Sequence, residues 1–207
     1  MSSLERIDLG MEAAVLRGQA LTHAEALLAE LETIERQAPP RRMETPGGRV
    51  MSVSMTNCGP LGWISDRGGY RYSATDPLTG NAWPAMPEVF AHVARSAAAA
   101  LGHDEYRPDA CLINHYRPGT TLSLHQDRDE RDLTAPIVSV SLGMSAIFVF
   151  GGLKRRDPVQ AIELHHGDVV VWGGRDRLRY HGIRRLCGPA HPLFGDARIN
   201  LTFRRAR

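Results

Sequence analysis

His125-Gln126-Asp127 sets an imidazole and a carboxylate two residues apart. In an extended segment such residues project from one face, so both side chains can reach a single ion. A second histidine from elsewhere would complete a facial triad of one oxygen and two nitrogen donors. That set leaves the opposite positions open and is characteristic of non-haem iron(II) oxygenases. The spacing alone is a weak signal, because most such pairs lie at a surface or hydrogen-bond each other. His181, in Arg179-Tyr180-His181-Gly182, is the candidate third ligand; His115, His165 and His166 are alternatives. His165 and His166 precede the turn residue Gly167 and read as loop.

The chain's end adds a second chemical element. Arg198-Ile-Asn-Leu-Thr-Phe-Arg204 alternates polar and apolar without a break. As a strand it places Arg198, Asn200, Thr202 and Arg204 on one face and Ile199, Leu201 and Phe203 on the other. A half-buried surface strand would look the same. If the polar face points inward, two buried guanidiniums require an anion. A dicarboxylate answers that need, because the planar guanidinium pairs a carboxylate bidentately. Asn114 and Tyr116 share a strand face and can hydrogen-bond the same ligand.

These residues need a scaffold, and 207 residues suffice for one domain with a single core. A hydrophobic content of 43% and a charged content of 23% are those of a soluble globular protein. No apolar run approaches membrane-spanning length, and the N-terminus lacks the pattern of a secretory signal, so a cytoplasmic protein is expected. Cys58, Cys111 and Cys187 are scattered and odd in number, which predicts reduced, buried thiols. The net charge of +2 does not argue for nucleic-acid binding, and Lys154 is the only lysine. Arg175, Arg177 and Arg179 read as a solvated basic face.

The spacing predicts a first helix with Thr22 and Glu25 as a capping box and Leu27, Leu28, Leu31 and Ile34 on one face, stopped by Pro39-Pro40. A second starts near Pro87 and ends at Gly102. Between them, Met43 to Trp83 is rich in turn residues and aromatics and reads as short strands covering a site. From Ala110 onward short strands predominate, at Cys111–Tyr116, Ser123–Gln126, Ile137–Leu142, Ala146–Phe150, Ala161–Leu164, Asp168–Trp172 and Arg198–Arg205. That succession suggests a jelly roll.

From about Met43 to Arg205 the chain closely resembles the bacterial AlkB family, iron(II)- and 2-oxoglutarate-dependent dealkylases that repair alkylated bases directly. The segments carrying the likeness are Asn114-His-Tyr116, Leu122-Ser-Leu-His-Gln-Asp127, Ala135-Pro-Ile-Val-Ser-Val-Ser-Leu142, Phe150-Gly-Gly-Leu-Lys-Arg155, His166-Gly-Asp-Val-Val-Val-Trp-Gly-Gly174, Tyr180-His-Gly182 and Arg198–Arg204. The resemblance implies an α+β fold: a double-stranded β-helix (jelly-roll) core with N-terminal helices and a nucleotide-recognition lid. One domain, 1–207, then comprises a helical extension (1–42), the lid (43–85), and a helix plus the dioxygenase core (86–207).

By the same resemblance, His125, Asp127 and His181 ligate Fe(2+). Arg198 and Arg204 pair the carboxylates of 2-oxoglutarate, flanked by Asn114, Tyr116 and Asn200, and O2 is the second co-substrate. Trp63 stacks on the substrate base opposite the His125 ring, and Asp129 lies beside the base's exocyclic amino group. Tyr70, Arg155 and Thr45 contact the nucleotide, with Met43, Met51 and Met55 in the cover. From the residues alone, the favoured readings are Trp63 as a core aromatic and Asp129 as a member of the charged run 127–132. The implied reaction is demethylation of 1-methyladenine or 3-methylcytosine by a monomer acting on single-stranded DNA, with RNA as a second substrate, releasing formaldehyde, succinate and CO2. A modified tRNA substrate or a non-catalytic lesion binder are the competing readings. His115 and Arg179 depart from the family's pattern; an alternating strand turns His115 away from the site.

Overall fold

A computed structural model describes residues 5–207. In chain order the elements are β1 (Arg6–Asp8), β2 (Ala13–Leu16), a one-turn 3-10 helix (Leu21–His23), α1 (Ala24–Gln37), β3 (Arg41–Glu44), β4 (Val50–Cys58), β5 (Gly62–Asp66), β6 (Gly69–Ser73) and α2 (Glu88–Ala99). There follow β7 (Ala110–Tyr116), β8 (Leu122–His125), β9 (Ile137–Gly143), β10 (Ala146–Phe150), β11 (Gln160–Leu164), β12 (Val169–Trp172), a 3-10 turn (Gly174–Asp176), β13 (His181–Ile183) and β14 (Arg198–Arg204).

An eight-stranded antiparallel sheet runs β1-β2-β12-β9-β14-β7-β4-β3, and a four-stranded sheet runs β11-β10-β13-β8. The jelly roll is formed by these two sheets, whose facing sides share one core. Leu112, Tyr116, Ile137, Val170 and Trp172 from the large sheet meet Phe148, Phe150 and Ile183 from the small one. The back of the large sheet is covered by the helices. Leu27, Leu31 and Ile34 of α1 and Phe90, Val93 and Ala97 of α2 pack on Ile113, Val138, Val140, Val171, Leu201 and Phe203. Strand β14 is therefore buried along its whole length, Ile199, Leu201 and Phe203 toward the helices and its polar residues toward the small sheet.

Several expectations need correction. The 1–42 segment is not purely helical: Ala13-Ala-Val-Leu16 forms β2 and pairs with Val169–Trp172 of β12. A four-residue apolar run carries no periodicity to separate strand from helix. Buried Asp168 helps seat this strand, accepting from Arg17 and from the Gly18 and His165 amides at 2.9 and 2.8 Å. The capping box does not form. Thr22 lies inside the 3-10 turn, so the helix starts after His23 with no side-chain cap. The 43–85 segment is not wholly separate, since β3 and β4 belong to the large sheet and only β5–β6 forms a sheet of its own. Of its aromatics, Tyr70 is exposed, whereas Trp83 is buried and donates to the Ser73 carbonyl at 2.9 Å. Cys187 is exposed, whereas Cys58 and Cys111 are buried as expected. Gly102 has φ +86° just past α2, the left-handed stop its position predicts.

Phe203 joins the helix layer to β14, fully buried and edge-to-face with Phe90 at 6.0 Å. Phe203→Ala is expected to lower unfolding free energy by about 3–5 kcal/mol in urea titrations. A loss below about 1 kcal/mol would place it among substitutions without a packing role.

Candidate metal centre

His125 and His181 are direct cross-strand partners in β8 and β13, with ring centroids 4.4 Å apart. Each ring approaches a main-chain carbonyl through Nδ1, His125 toward Ser123 at 2.9 Å and His181 toward Arg179 at 3.0 Å. A carbonyl only accepts, so Nδ1 donates the proton and the Nε2 lone pair stays free for a metal. Gly182, beside the ligand, allows this pairing; a Cβ there would lie 2.5 Å from the Leu122 carbonyl oxygen of β8.

Strand β8 ends at His125, so Asp127 is delivered from the irregular segment beyond it rather than from a continuous strand face. It nevertheless arrives between the rings, its two oxygens each 3.7 Å from a histidine Nε2. Those distances are too long for hydrogen bonds. The three ligand atoms lie within 4.8 Å of one another, and no other such His/Cys/Asp/Glu group occurs among the described residues. The donor set suits iron(II).

Arg204 holds Asp127 in place, its Nη2 2.9 Å from both carboxylate oxygens and its Nε 3.2 Å from Oδ2. Arg204 is thus paired within the chain, whereas the other arginine of the strand face, Arg198, is not. This side chain is 1% exposed, donates to the Ser141 hydroxyl at 3.0 Å, and lies over the Tyr116 ring at 4.8 Å. Its Nε and Nη1 have no partner. Two unpaired donors on a buried cation fit a carboxylate ligand. Between the arginines, Asn114 donates to Asn200 at 3.3 Å, and Asn200 donates to Ser139 at 2.7 Å. Ser139 and Ser141 were legible in the alternation Ile137-Val-Ser-Val-Ser, which puts both on one face of β9.

The residues that the resemblance assigns to the substrate lie on several separate segments. Trp63 on β5 donates its indole N–H to exposed Asp129 at 2.9 Å and stacks on Tyr70 at 5.5 Å, 15° from parallel. Arg155 is exposed, its guanidinium 5.3 Å from the Tyr180 ring centroid. Thr45 sits in the β3–β4 turn, where its hydroxyl accepts from the Arg49 amide at 3.1 Å. Met43 and Met55 are buried beside partly buried Met51 and Trp63. His115 faces the helices, 2.9 Å from Glu35, and Arg179 lies over Phe150.

Arg177 corrects the expected basic face. It is buried, pairs with Glu130 at 3.0 Å and donates to the Asp127 carbonyl at 2.6 Å. Only Arg175 of the three arginines is exposed. Glu130 and Tyr72, which also carry this network, have no local sequence signal beyond their types.

Electrostatics keeps Asp127 and His181 in their metal-ready forms. Burial raises the Asp127 carboxyl, but Arg204, His181, His125 and Arg177 outweigh it and hold the group well below the usual carboxylate range. Burial, reinforced by His125, lowers His181 from 6.5 to about 3. An unfolded chain takes up that proton near pH 6.5, whereas the native state resists it to about 3. The stability linked to neutral His181 is thus complete above the upper value and lost as pH falls toward the lower one. The metal-free protein should show a urea midpoint that declines through this window. His181→Leu should flatten that decline; an unaltered slope would assign it to other groups.

Comparison with known proteins agrees with this geometry. The 2OG-Fe(II) oxygenase superfamily profile matches residues 14–204. The alpha-ketoglutarate-dependent dioxygenase AlkB of Salmonella typhimurium is 59% identical over 94% of this chain and 90% of its own length. Human nucleic acid dioxygenase ALKBH1 is 34% identical over 61% of this chain and 32% of its own. The solved structure of OsALKBH1 superposes with a TM-score of 0.78 at 27% identity, over 96% of this chain and all of that one. With an intact two-histidine, one-carboxylate centre beside a buried unpaired arginine, the chain belongs to the 2OG-Fe(II) oxygenase superfamily and, within it, to the AlkB alpha-ketoglutarate-dependent dioxygenases.

Proposed function

We propose that this enzyme oxidatively removes alkyl groups from damaged DNA bases, 1-methyladenine and 3-methylcytosine, in single strands, with RNA as a lesser substrate. The single observation that carries the chemistry is Arg198, buried with two unpaired donors near a ready metal-ligand set. The human relative's name, nucleic acid dioxygenase, supports the substrate class.

His125, Asp127 and His181 would hold iron(II). Arg198 would receive the far carboxylate of 2-oxoglutarate, with Tyr116 beneath it, Asn114 and Asn200 flanking, and Arg204 at the metal end. Iron(II) with 2-oxoglutarate and O2 would supply the oxidising power to hydroxylate the alkyl carbon, one oxygen atom going to that carbon and the other to succinate as CO2 is lost. The hydroxymethyl group would then leave as formaldehyde, with loss of a proton, restoring the neutral base.

The remaining residues select and place the base. A base methylated at N1 of adenine or N3 of cytosine pairs poorly and carries positive charge, so it leaves the stack at low cost. The Trp63 and His125 rings would offer its two faces, with Tyr70 backing Trp63. Asp129 already accepts from Trp63 and has lone pairs left for an exocyclic amino group. Its negative charge favours the cationic lesion over the neutral base. Arg155, with exposed Lys154 and Arg156, would face the phosphates, and Thr45 would border the strand. The β5–β6 hairpin would serve as the lid. A monomer is supported by exposed apolar side chains, such as Met11, Leu78 and Leu193, lying singly in separate loops rather than along one strand or helix face. No described helix is long and apolar enough to cross a membrane. The free thiols of Cys58 and Cys111, cross-strand neighbours, support a reducing compartment such as the cytoplasm.

The test is formaldehyde and succinate release from methylated and unmethylated oligonucleotides, as DNA and as RNA. Release should require iron(II), 2-oxoglutarate and the methyl group, and be greatest with single-stranded DNA. His125→Ala should reduce it by at least about 100-fold. Arg198→Met should raise the KM for 2-oxoglutarate about 10- to 100-fold, as expected for lost hydrogen bonds to a charged group. Succinate formation indifferent to the methylated base would overturn the substrate assignment.

A further inference from the structure

Cross-strand neighbours Trp63 and Tyr72 lie opposite one another in the β5–β6 hairpin, so their side chains share a face. Both reach the segment just past Asp127. Trp63 donates to Asp129 at 2.9 Å, and the Tyr72 hydroxyl donates to the next residue, Glu130, at 2.5 Å. The other Glu130 oxygen accepts from Arg177 at 3.0 Å, and Arg177 also donates to the main-chain carbonyls of Asp127 at 2.6 Å and Ala135 at 2.9 Å. Arg204, which grips the Asp127 carboxylate, has its Nε 3.5 Å from Glu130. The Glu130 and Arg177 side chains are 1% and 2% exposed.

We propose that Tyr72, Glu130 and Arg177 form a buried positioning chain that couples the seating of the Trp63-bearing hairpin to the pose of the metal ligand Asp127. None of the three is a metal ligand or a strand-face neighbour of Arg198. Each acts through another group. Glu130 is shared among a hairpin hydroxyl and two arginines, and those arginines hold Asp127 by its carbonyl and by its carboxylate. A displaced hairpin removes a donor from Glu130, and a displaced Asp127 pulls on Arg177. The enzyme thereby favours a well-placed ligand when the base platform is seated, which limits co-substrate consumption without base repair. The inference rests on the reading of Trp63 as the base platform.

Tyr72→Phe and Glu130→Gln are the variants, both near-isosteric so that folding can be verified by thermal melting. Three readouts apply: Co(II) titration of the metal-free protein, amide exchange across residues 62–73, and succinate formed per base restored. KM for methylated oligonucleotide is compared with KM for 2-oxoglutarate. Tyr72→Phe should speed exchange across the hairpin, raise the oligonucleotide KM about fivefold, as for one lost hydrogen bond, and raise succinate per base, with 2-oxoglutarate KM unchanged. Glu130→Gln should show the same hairpin effects and also weaken Co(II) binding about tenfold, as loss of a supporting residue does. In the double variant the hairpin effects should be no larger than in Glu130→Gln alone. Wild-type Co(II) affinity in Glu130→Gln, or wild-type exchange and coupling in Tyr72→Phe, overturns the proposal. Failure of the unaltered enzyme to restore any methylated base would instead sink the substrate reading, while Co(II) binding and amide exchange still decide the positioning chain.

Discussion

Asp127 is a carboxylate with 7% of its surface left in water, and its charge persists because Arg204 meets it with three hydrogen bonds of 2.9 to 3.2 Å. Removing one partner of such a pair costs about 3–5 kcal/mol, since the other is left buried and uncompensated. Glu130 and Arg177 add a second buried pair beside the first. The four groups make a neutral quartet, so the ligand set is assembled by the protein's own charges. Burial keeps His181 neutral, and main-chain carbonyls orient both histidine rings.

The quartet can exist only between the two sheets, and β14 is what puts it there. Both faces of that strand are buried, one against helices and one against the small sheet. A one-residue slip would exchange Arg204 and Phe203, so the register is held by the cost of either error. Its pairing with β7 sets Arg198 opposite Tyr116 and Asn200 opposite Asn114, which lines up the co-substrate side of the site. Fold and chemistry are in this sense one constraint, carried by the alternation of seven residues.

That is why so much could be read beforehand. A strict two-residue period predicts a strand and its polar face, and β14 has both. Where periodicity was absent, reading failed. Four apolar residues at Ala13–Leu16 fit strand and helix alike, and only pairing with β12 decides between them. Thr22 and Glu25 have capping-box spacing, yet the 3-10 turn before α1 takes Thr22 out of the cap position. Arg177 sits between Arg175, which is exposed, and Arg179, which is partly exposed, so burial at that position is a tertiary fact. The contact between Tyr72 and Glu130 spans 58 residues and left no local trace.

The two ends of the site differ in one respect that bears on how it fills. At the metal end every charge is matched within the chain. At the other, Arg198 keeps two donors unpaired, and burial lowers its pKa without removing its charge, which no neighbouring acid balances. A divalent ion entering alone adds positive charge to a site whose only uncompensated group is already a cation. A dicarboxylate entering alone satisfies Arg198 but brings a second carboxylate toward Asp127 and Glu130. Each ligand cancels the unfavourable charge of the other in a setting where water screens poorly. The charge pattern of the residues is thus complementary to a cation and a dicarboxylate taken together.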